Sequence, residues 1–248
     1  MIFNLTQPVL DSAPKFTYTG TYEYIDDGAG NWRIKFLTSG VFTPLKNMAI
    51  DAFLVGGGGG SKGDSSNTSA TAGAGGGYTA THKAINLTSG TAYNIVVGAG
   101  GVGNNTGGQT SAFGHSVDGG SPGETSSNTA YGGSGGSGGG RAPSRGSAYD
   151  GGSDGADGGG YSDLSPNNGK GQGTTTREFG EPNGDLYAGG GGGHNSGGNA
   201  AGGNGGGADG GQSAQDNTGG GAGGALKQTT TSGGSGIVVI RKHKEAAA

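Results

Sequence analysis

Ile50-Asp51-Ala52-Phe53-Leu54-Val55-Gly56-Gly57-Gly58-Gly59-Gly60 joins two kinds of chain in a single stretch. The first half, with Phe53, Leu54 and Val55 in a row, reads as a strand bounded by a glycine signal. The second half has no side chains at all. Each glycine loses an extra ~0.5–1 kcal/mol of backbone entropy relative to alanine when it is ordered. A run of five is therefore kept only if backbone packs directly on backbone, or if the run never orders. The rest of the sequence decides which.

Similar runs recur at Gly132–Gly140 with Ser134 and Ser137, at Gly189–Gly193, and at Gly202–Gly211 with Asn204, Ala208 and Asp209. Glycine supplies 66 of 248 residues, against an average near 7%. From Asp118 to Ser232 the large aliphatic residues, Met and Phe are represented only by Leu164, Phe179, Leu186 and Leu226. No ordinary core can be built from these. Disorder fits the composition, but a net charge of −4 and 13% charged residues are low for a disordered chain. Collagen is excluded, because there is no Gly-X-Y period and only 7 prolines are present.

Strand-like sequence clamps both ends of the glycine region. Phe16/Tyr18 and Tyr22/Tyr24 share one parity, and Trp32, Ile34 and Phe36 alternate with Arg33 and Lys35. Asp26-Asp27-Gly28-Ala29-Gly30-Asn31 between them is turn chemistry. Ala84–Leu87, Ala92–Val97 and Gly236–Arg241 are further strands. The last, Gly-Ile-Val-Val-Ile-Arg, is strongly apolar and needs a sheet to join. The chain is thus expected to return and close a β-sandwich that carries the glycine region as a large insertion. No segment reads as an α-helix.

For the insertion, the physical solution is a polyglycine II bundle. Such helices have three residues per turn, about 3.1 Å rise and no internal hydrogen bonds. Every N–H and C=O points outward and must find a neighbour when buried. At a net ~0.5–1.5 kcal/mol per bond, a lattice of them offsets the glycine entropy. Gly132–Gly140 is expected to form one straight helix of roughly 28 Å. The organisation expected is a β segment over 1–47 that also suits attachment, sandwich strands with the first glycine runs over 48–117, the bundle with its loops over 118–232, a closing strand over 233–244, and a tail over 245–248.

The order of Ile50–Gly60, Leu87–Gly101 (Leu-Thr-Ser-Gly-Thr-Ala-Tyr-Asn-Ile-Val-Val-Gly-Ala-Gly-Gly), Gly107–Gly114 and the closing Gly233–Arg241 resembles the glycine-rich domain of bacteriophage tail proteins. It is also similar to the glycine-rich ectodomain of the anaplastic lymphoma kinase and leukocyte tyrosine kinase receptors, where a TNF-like sandwich carries packed polyglycine II helices. The resemblance spans about residues 30–241. It implies a TNF- or jelly-roll-like sandwich, and, by likeness to T-even-type tail-fibre adhesins, loops that touch a bacterial receptor. The absence of cysteine and of any membrane-spanning run favours the phage-type relatives.

Several motifs are discounted. Gly98-Ala99-Gly100-Gly101-Val102-Gly103 fits the dinucleotide fingerprint, with Asp118 about twenty residues on. Asn104-Asn105-Thr106-Gly107-Gly108 cannot supply the helix that the pyrophosphate needs. Gly132-Gly133-Ser134-Gly135-Gly136 matches a hydrolase elbow only because the tract is all Gly and Ser. Asp150, Asp154 and Asp157 sit at the wrong offsets for a calcium β-helix and read as turn residues. His82, His115, His194 and His243 lack metal-ligand spacing. No cofactor or metal, no nucleic-acid partner and no membrane insertion are expected.

The functional expectation is a non-enzymatic tail protein, made in the host cytoplasm and placed in the virion, where its partners are a bacterial surface receptor (protein or polysaccharide) and other tail proteins. A homotrimer is one state that suits a tail part. If consecutive glycine helices alternate in direction, loops 124–131 and 161–168 share one end of the bundle, and loops 141–150 and 174–187 the other. The second end would then gather Arg141, Arg145, Tyr149, Arg177, Phe179 and Tyr187 as the receptor-binding set. The first end offers Tyr131, Tyr161 and Asp163. The plainer alternative makes these aromatics lids lying flat on the bundle. The competing classes are a structural tail or capsid spacer and, less favoured by the charged irregular loops, an ice-binding protein.

Overall fold

The computed structural model describes residues 13–63, 70–160 and 169–243. Among the described residues ten strands build the sandwich: β1 (Phe16–Tyr18), β2 (Tyr22–Gly28), β3 (Asn31–Phe36), β4 (Gly40–Pro44), β5 (Met48–Val55), β6 (Thr79–Leu87), β7 (Tyr93–Val96), β8 (Thr110–Ala112), β9 (His115–Val117) and β10 (Ile237–Lys242). They form two antiparallel five-stranded sheets, ordered β1-β4-β7-β8-β9 and β2-β3-β10-β5-β6. The C-terminal strand does return: Ile237–Lys242 lies between β5 and β3, with Val239 opposite Phe53 and Lys35. No α-helix occurs among the described residues.

Alternation explains the core. Trp32, Ile34 and Phe36 of β3 point between the sheets, with Ile50, Ala52 and Leu54 of β5, Val238 and Ile240 of β10, Phe42 and Ile95. β5 and β10 are buried on both faces, which is why they read as unbroken apolar runs. Their second face holds Phe53, Val55, Ile237 and Val239, covered by Phe179, Tyr187 and Ala188 of a loop from the glycine region.

From Val55 the chain leaves the sheet as a glycine helix whose bonding repeats every third residue. Gly56 and Gly59 donate to Tyr78 O and Gly75 O, each at 2.9 Å. Gly57 and Gly60 donate to Gly108 O and Asn105 O, each at 3.0 Å, while Gly58 reaches Gly234 O at 2.9 Å. Three faces therefore meet three neighbours, as a threefold helix without internal bonds requires. The same rhythm recurs around residues 72–78, where Ala72, Gly75 and Tyr78 donate to Glu124, Ser121 and Asp118 in turn. Close approach is the reason for glycine. A Cβ on Gly56, Gly57, Gly58, Gly59 or Gly60 would lie 1.9–2.4 Å from the carbonyl oxygen of Asp118, Ala99, Gly220, Ser121 or Gly103 respectively.

One expectation fails. The run Gly132–Gly140 is not a single straight helix. The chain bends at residues 135–137, and Gly139 donates back to Gly133 O at 2.8 Å. Residues 133–136 run parallel to 73–76, and residues 137–140 antiparallel to them. A run with only Ser134 and Ser137 as side chains carries no mark of where it turns. That extra reversal changes which loops share an end.

Candidate functional site

The end of the bundle away from the sandwich is finished by short strand pairs that tie each turn to its neighbours. Ser61–Lys62 pairs with Thr230–Thr231, and Thr129–Ala130 with Ala142–Pro143. Ala70–Thr71 bridges Thr125–Ser126 and His194, whose hairpin closes on Gly198–Asn199. Beyond these ties the side chains are polar and exposed: Ser127, Asn128, Arg145, Ser147, Tyr149, Ser196, Lys227 and Gln228.

Loops 124–131 and 141–150 therefore lie together at this end, contrary to the alternating arrangement, because of the bend at residues 135–137. Arg141 stands over the Tyr131 ring, guanidinium carbon 5.7 Å from its centroid. The exposed Tyr149 is held through its backbone, its N–H donating to Arg141 O at 2.9 Å. Arg145 rims a shallow recess of about 480 Å³ with Ser127, Asn128, Thr129, Pro143 and Ser144. Asn195, buried to 2% exposure, fixes the neighbouring turns. Its Nδ2 donates to Pro143 O at 2.6 Å and Gly146 O at 3.2 Å, and its Oδ1 accepts the Gly197 N–H at 2.9 Å. His194 donates from Nδ1 to Gly224 O at 3.1 Å, which fixes the proton on that nitrogen. Burial holds its pKa below the ordinary value, a tendency that the Gly224 bond opposes.

The other three residues of the expected set lie elsewhere. Loop 174–187 packs on the outer face of the β5–β10 sheet. Arg177 Nε pairs with Asp154 Oδ2 at 3.1 Å, and its Nη1 donates to Gly184 O at 3.3 Å. Phe179 and Tyr187 are both 5% exposed, with ring centroids 6.1 and 5.5 Å from that of Phe53. Burial first, and then Glu178, push the Tyr187 hydroxyl up to about 12. For Phe179 and Tyr187 the placement is that of lids over an apolar sheet face. Arg141, Arg145 and Tyr149 are brought together; Arg177, Phe179 and Tyr187 form a separate group.

Around that loop runs an ion-pair network that the sequence did not disclose. Arg33 Nη1 meets buried Glu178 at 2.8 Å while its Nε meets Asp27 at 3.0 Å. Arg241 pairs with Asp51 and Glu181, and its guanidinium lies 4.1 Å over the Phe179 ring. Strand alternation marked Arg33 and Lys35 as polar-facing, but no local signal named Glu178, nearly 150 residues away. A recess of about 340 Å³ opens here, lined by Asp27, Arg33, Glu178, Glu181 and Arg241 among others. Those carboxylates are all engaged by arginines, which is an arrangement for holding a loop down.

The aspartates considered for calcium are each engaged. Asp150 accepts the Ala201 N–H, Asp157 the Gly171 N–H, and Asp154 holds Thr175, Thr176 and Arg177. Among the described residues no cluster of three or more His, Asp or Glu side chains could hold a metal ion.

Comparison with curated proteins gives no significant match. The family model of the glycine-rich domain matches residues 37–243, from just before β4 through the bundle to the end of β10. That span covers most of the sequence, and the chain belongs to this glycine-rich domain family.

Proposed function

We propose that the chain is a non-enzymatic recognition protein of a bacteriophage tail, which contacts a bacterial surface receptor through the loops at the free end of its glycine bundle. The observation that carries this reading is a division of labour. Inside the bundle a side chain would strike backbone within about 2 Å at position after position, so that part of the sequence is fixed by packing. At the free end the backbone is tied by short strand pairs and buried Asn195, while Arg145, Tyr149, Asn128 and Lys227 face solvent. Rigid backbone that presents exposed Arg and Tyr side chains is the chemistry of a binding hot spot held in place in advance. The resemblance to phage tail proteins supplies the biological setting, and with it the virion location and neighbouring tail proteins as partners. The likeness to the receptor-kinase ectodomains supports the scaffold alone.

Labelled protein is incubated with a panel of gut and environmental bacteria, beside Arg145→Ala/Tyr149→Ala and, as a control on the seam loop, Arg177→Ala. Strain-specific binding that is lost in the first variant and kept in the control is expected. Binding to no strain would replace this reading with that of a stiff structural spacer.

A further inference from the structure

The pole opposite the recognition loops carries its own recess, of about 400 Å³. β5 begins there at Met48 and leaves the sandwich for the bundle at Val55. Strand and glycine-helix rises together place the two ends about 40 Å apart. Ala13, Pro14, Trp32, Met48 and Ala49 give the recess apolar walls, and Lys15, Lys46, Lys242 and His243 stand around it. Leu45, beside it in sequence, is 53% exposed.

The charge here is opposite to that of the chain. The molecule carries −4 overall, yet among the described residues no carboxylate lines this recess. His243 is already engaged by Asp51 at 2.6 Å. Asp51 itself is buried and shared with Arg241, so it offers nothing outward. Lys46 and Lys242 are exposed and form no ion pair among the described residues. Two open ammonium groups above an apolar floor select a ligand that is acidic and greasy at once.

We infer that this recess is a docking site for an acidic peptide segment of another protein, one that seats an apolar side chain against Trp32 and Met48 and sets carboxylates against Lys46 and Lys242. A peptide fits better than a free anion, because about 400 Å³ of partly apolar space exceeds what a phosphate or sulfate fills. Electrostatic complementarity would set the rate and the partner, and apolar burial the residence time. The inference stands on this pole alone and does not need the free end to bind a receptor.

The test uses the full chain. A display library of short random peptides is panned on it, and enriched sequences are synthesised and titrated while the fluorescence of Trp32, the single tryptophan, is followed. Enriched peptides should pair acidic with apolar residues, bind saturably and weaken with salt. Lys46→Glu/Lys242→Glu should lose about tenfold or more in affinity, and Lys46→Arg/Lys242→Arg should retain it. Arg145→Ala/Tyr149→Ala should bind these peptides as well as the parent does. Both lysines are exposed, and a thermal melt of each variant checks that it is folded. No enrichment, enrichment without acidic bias, or equal binding by the charge-reversed variant would overturn the inference. So would a concentration-dependent dimer abolished by charge reversal, or tighter Lys-dependent binding to phosphatidylglycerol vesicles than to any peptide; these would assign the recess to a second copy or a membrane surface.

Discussion

His82 of β6 and His115 of β9 lie face to face across one seam of the sandwich, ring centroids 3.7 Å apart and planes within 10° of parallel. Each sits on the edge strand of its sheet, so the stack joins the two sheets where no strand pairing does. His82 Nε2 is buried without a partner among the described residues. Burial first, and the charge of His115 second, hold the His82 pKa below its ordinary value of 6.5.

A lowered histidine pKa means that the unfolded chain binds the proton more readily than the folded one, so stability falls as pH drops below about 6.5. His194 is shifted the same way and adds to the effect. Melting curves taken between pH 7.5 and 5 should show a progressive loss of Tm, and His82→Gln should flatten part of that slope. A slope unchanged in His82→Gln would assign the effect to other groups. A separate loss is expected below about pH 3.8, where Asp51 and Asp154 protonate. For Asp51 burial works upward, but bonds from His243, the Ala84 N–H and Arg241 outweigh it. For Asp154 the Thr175 hydroxyl is the main cause of the lowering.

Gly58→Ala places a methyl group 1.9 Å from Gly220 O. The atoms it meets are backbone and a Cβ has no rotamer, so no side-chain rearrangement relieves the clash. Denaturant unfolding should show a loss of roughly 3 kcal/mol or more, or no cooperative transition. Ser127→Ala at the exposed free end should stay within about 0.5 kcal/mol of the parent.

Glu178 is 3% exposed and holds Arg33 at 2.8 Å, with the Tyr187 hydroxyl donating to it at 3.3 Å. Glu178→Gln leaves a partly buried arginine with only Asp27 and should cost about 2–3 kcal/mol in the same assay. Asp185, 64% exposed and 3.3 Å from Lys35, should matter little: Asp185→Asn is expected within about 0.5 kcal/mol. Equal effects from the two changes would mean that burial is not what sets their worth.

Asn195→Ala removes two hydrogen bonds that tie the Pro143–Gly146 turn to the adjacent hairpin and a third that closes the hairpin on itself. Amide exchange at residues 144–147 and 196–198 should speed up markedly, with a global loss of about 2 kcal/mol. If the free end is the recognition surface, bacterial binding should also weaken, although Asn195 itself is buried and touches nothing outside.

The sandwich was legible wherever side chains alternate, as in Trp32-Arg33-Ile34-Lys35-Phe36, and wherever a lone apolar strand such as Ile237–Ile240 demanded a sheet. β4, β8 and β9 escaped notice because Gly40–Pro44, Thr110–Ala112 and His115–Val117 are short and hold too few apolar residues to set a period. That the glycine runs pack on one another follows from their having no other means of burial. How they are connected does not, because Gly135 and Gly136 look the same whether the chain turns there or runs straight. The candidate surface inherits this gap. Arg141, Arg145 and Tyr149 are neighbours in sequence and stay together, whereas their grouping with Arg177, Phe179 and Tyr187 depended on counting reversals in a tract that conceals them. Glu178, Asn195 and the histidine stack are products of distant contacts that no local pattern encodes.

The threefold bonding of the glycine helices makes the bundle sensitive to phase. One residue added between Gly56 and Gly60 would turn everything after it by about 120°, and Gly60 would present its N–H to a different neighbour from Asn105. Residues can be gained or lost inside a run only in threes, and only if every adjoining run still finds an acceptor. At the turns no such count applies. Variation in length is thereby channelled to the free end, where segments of any size can be exchanged while the lattice beneath them keeps its frame.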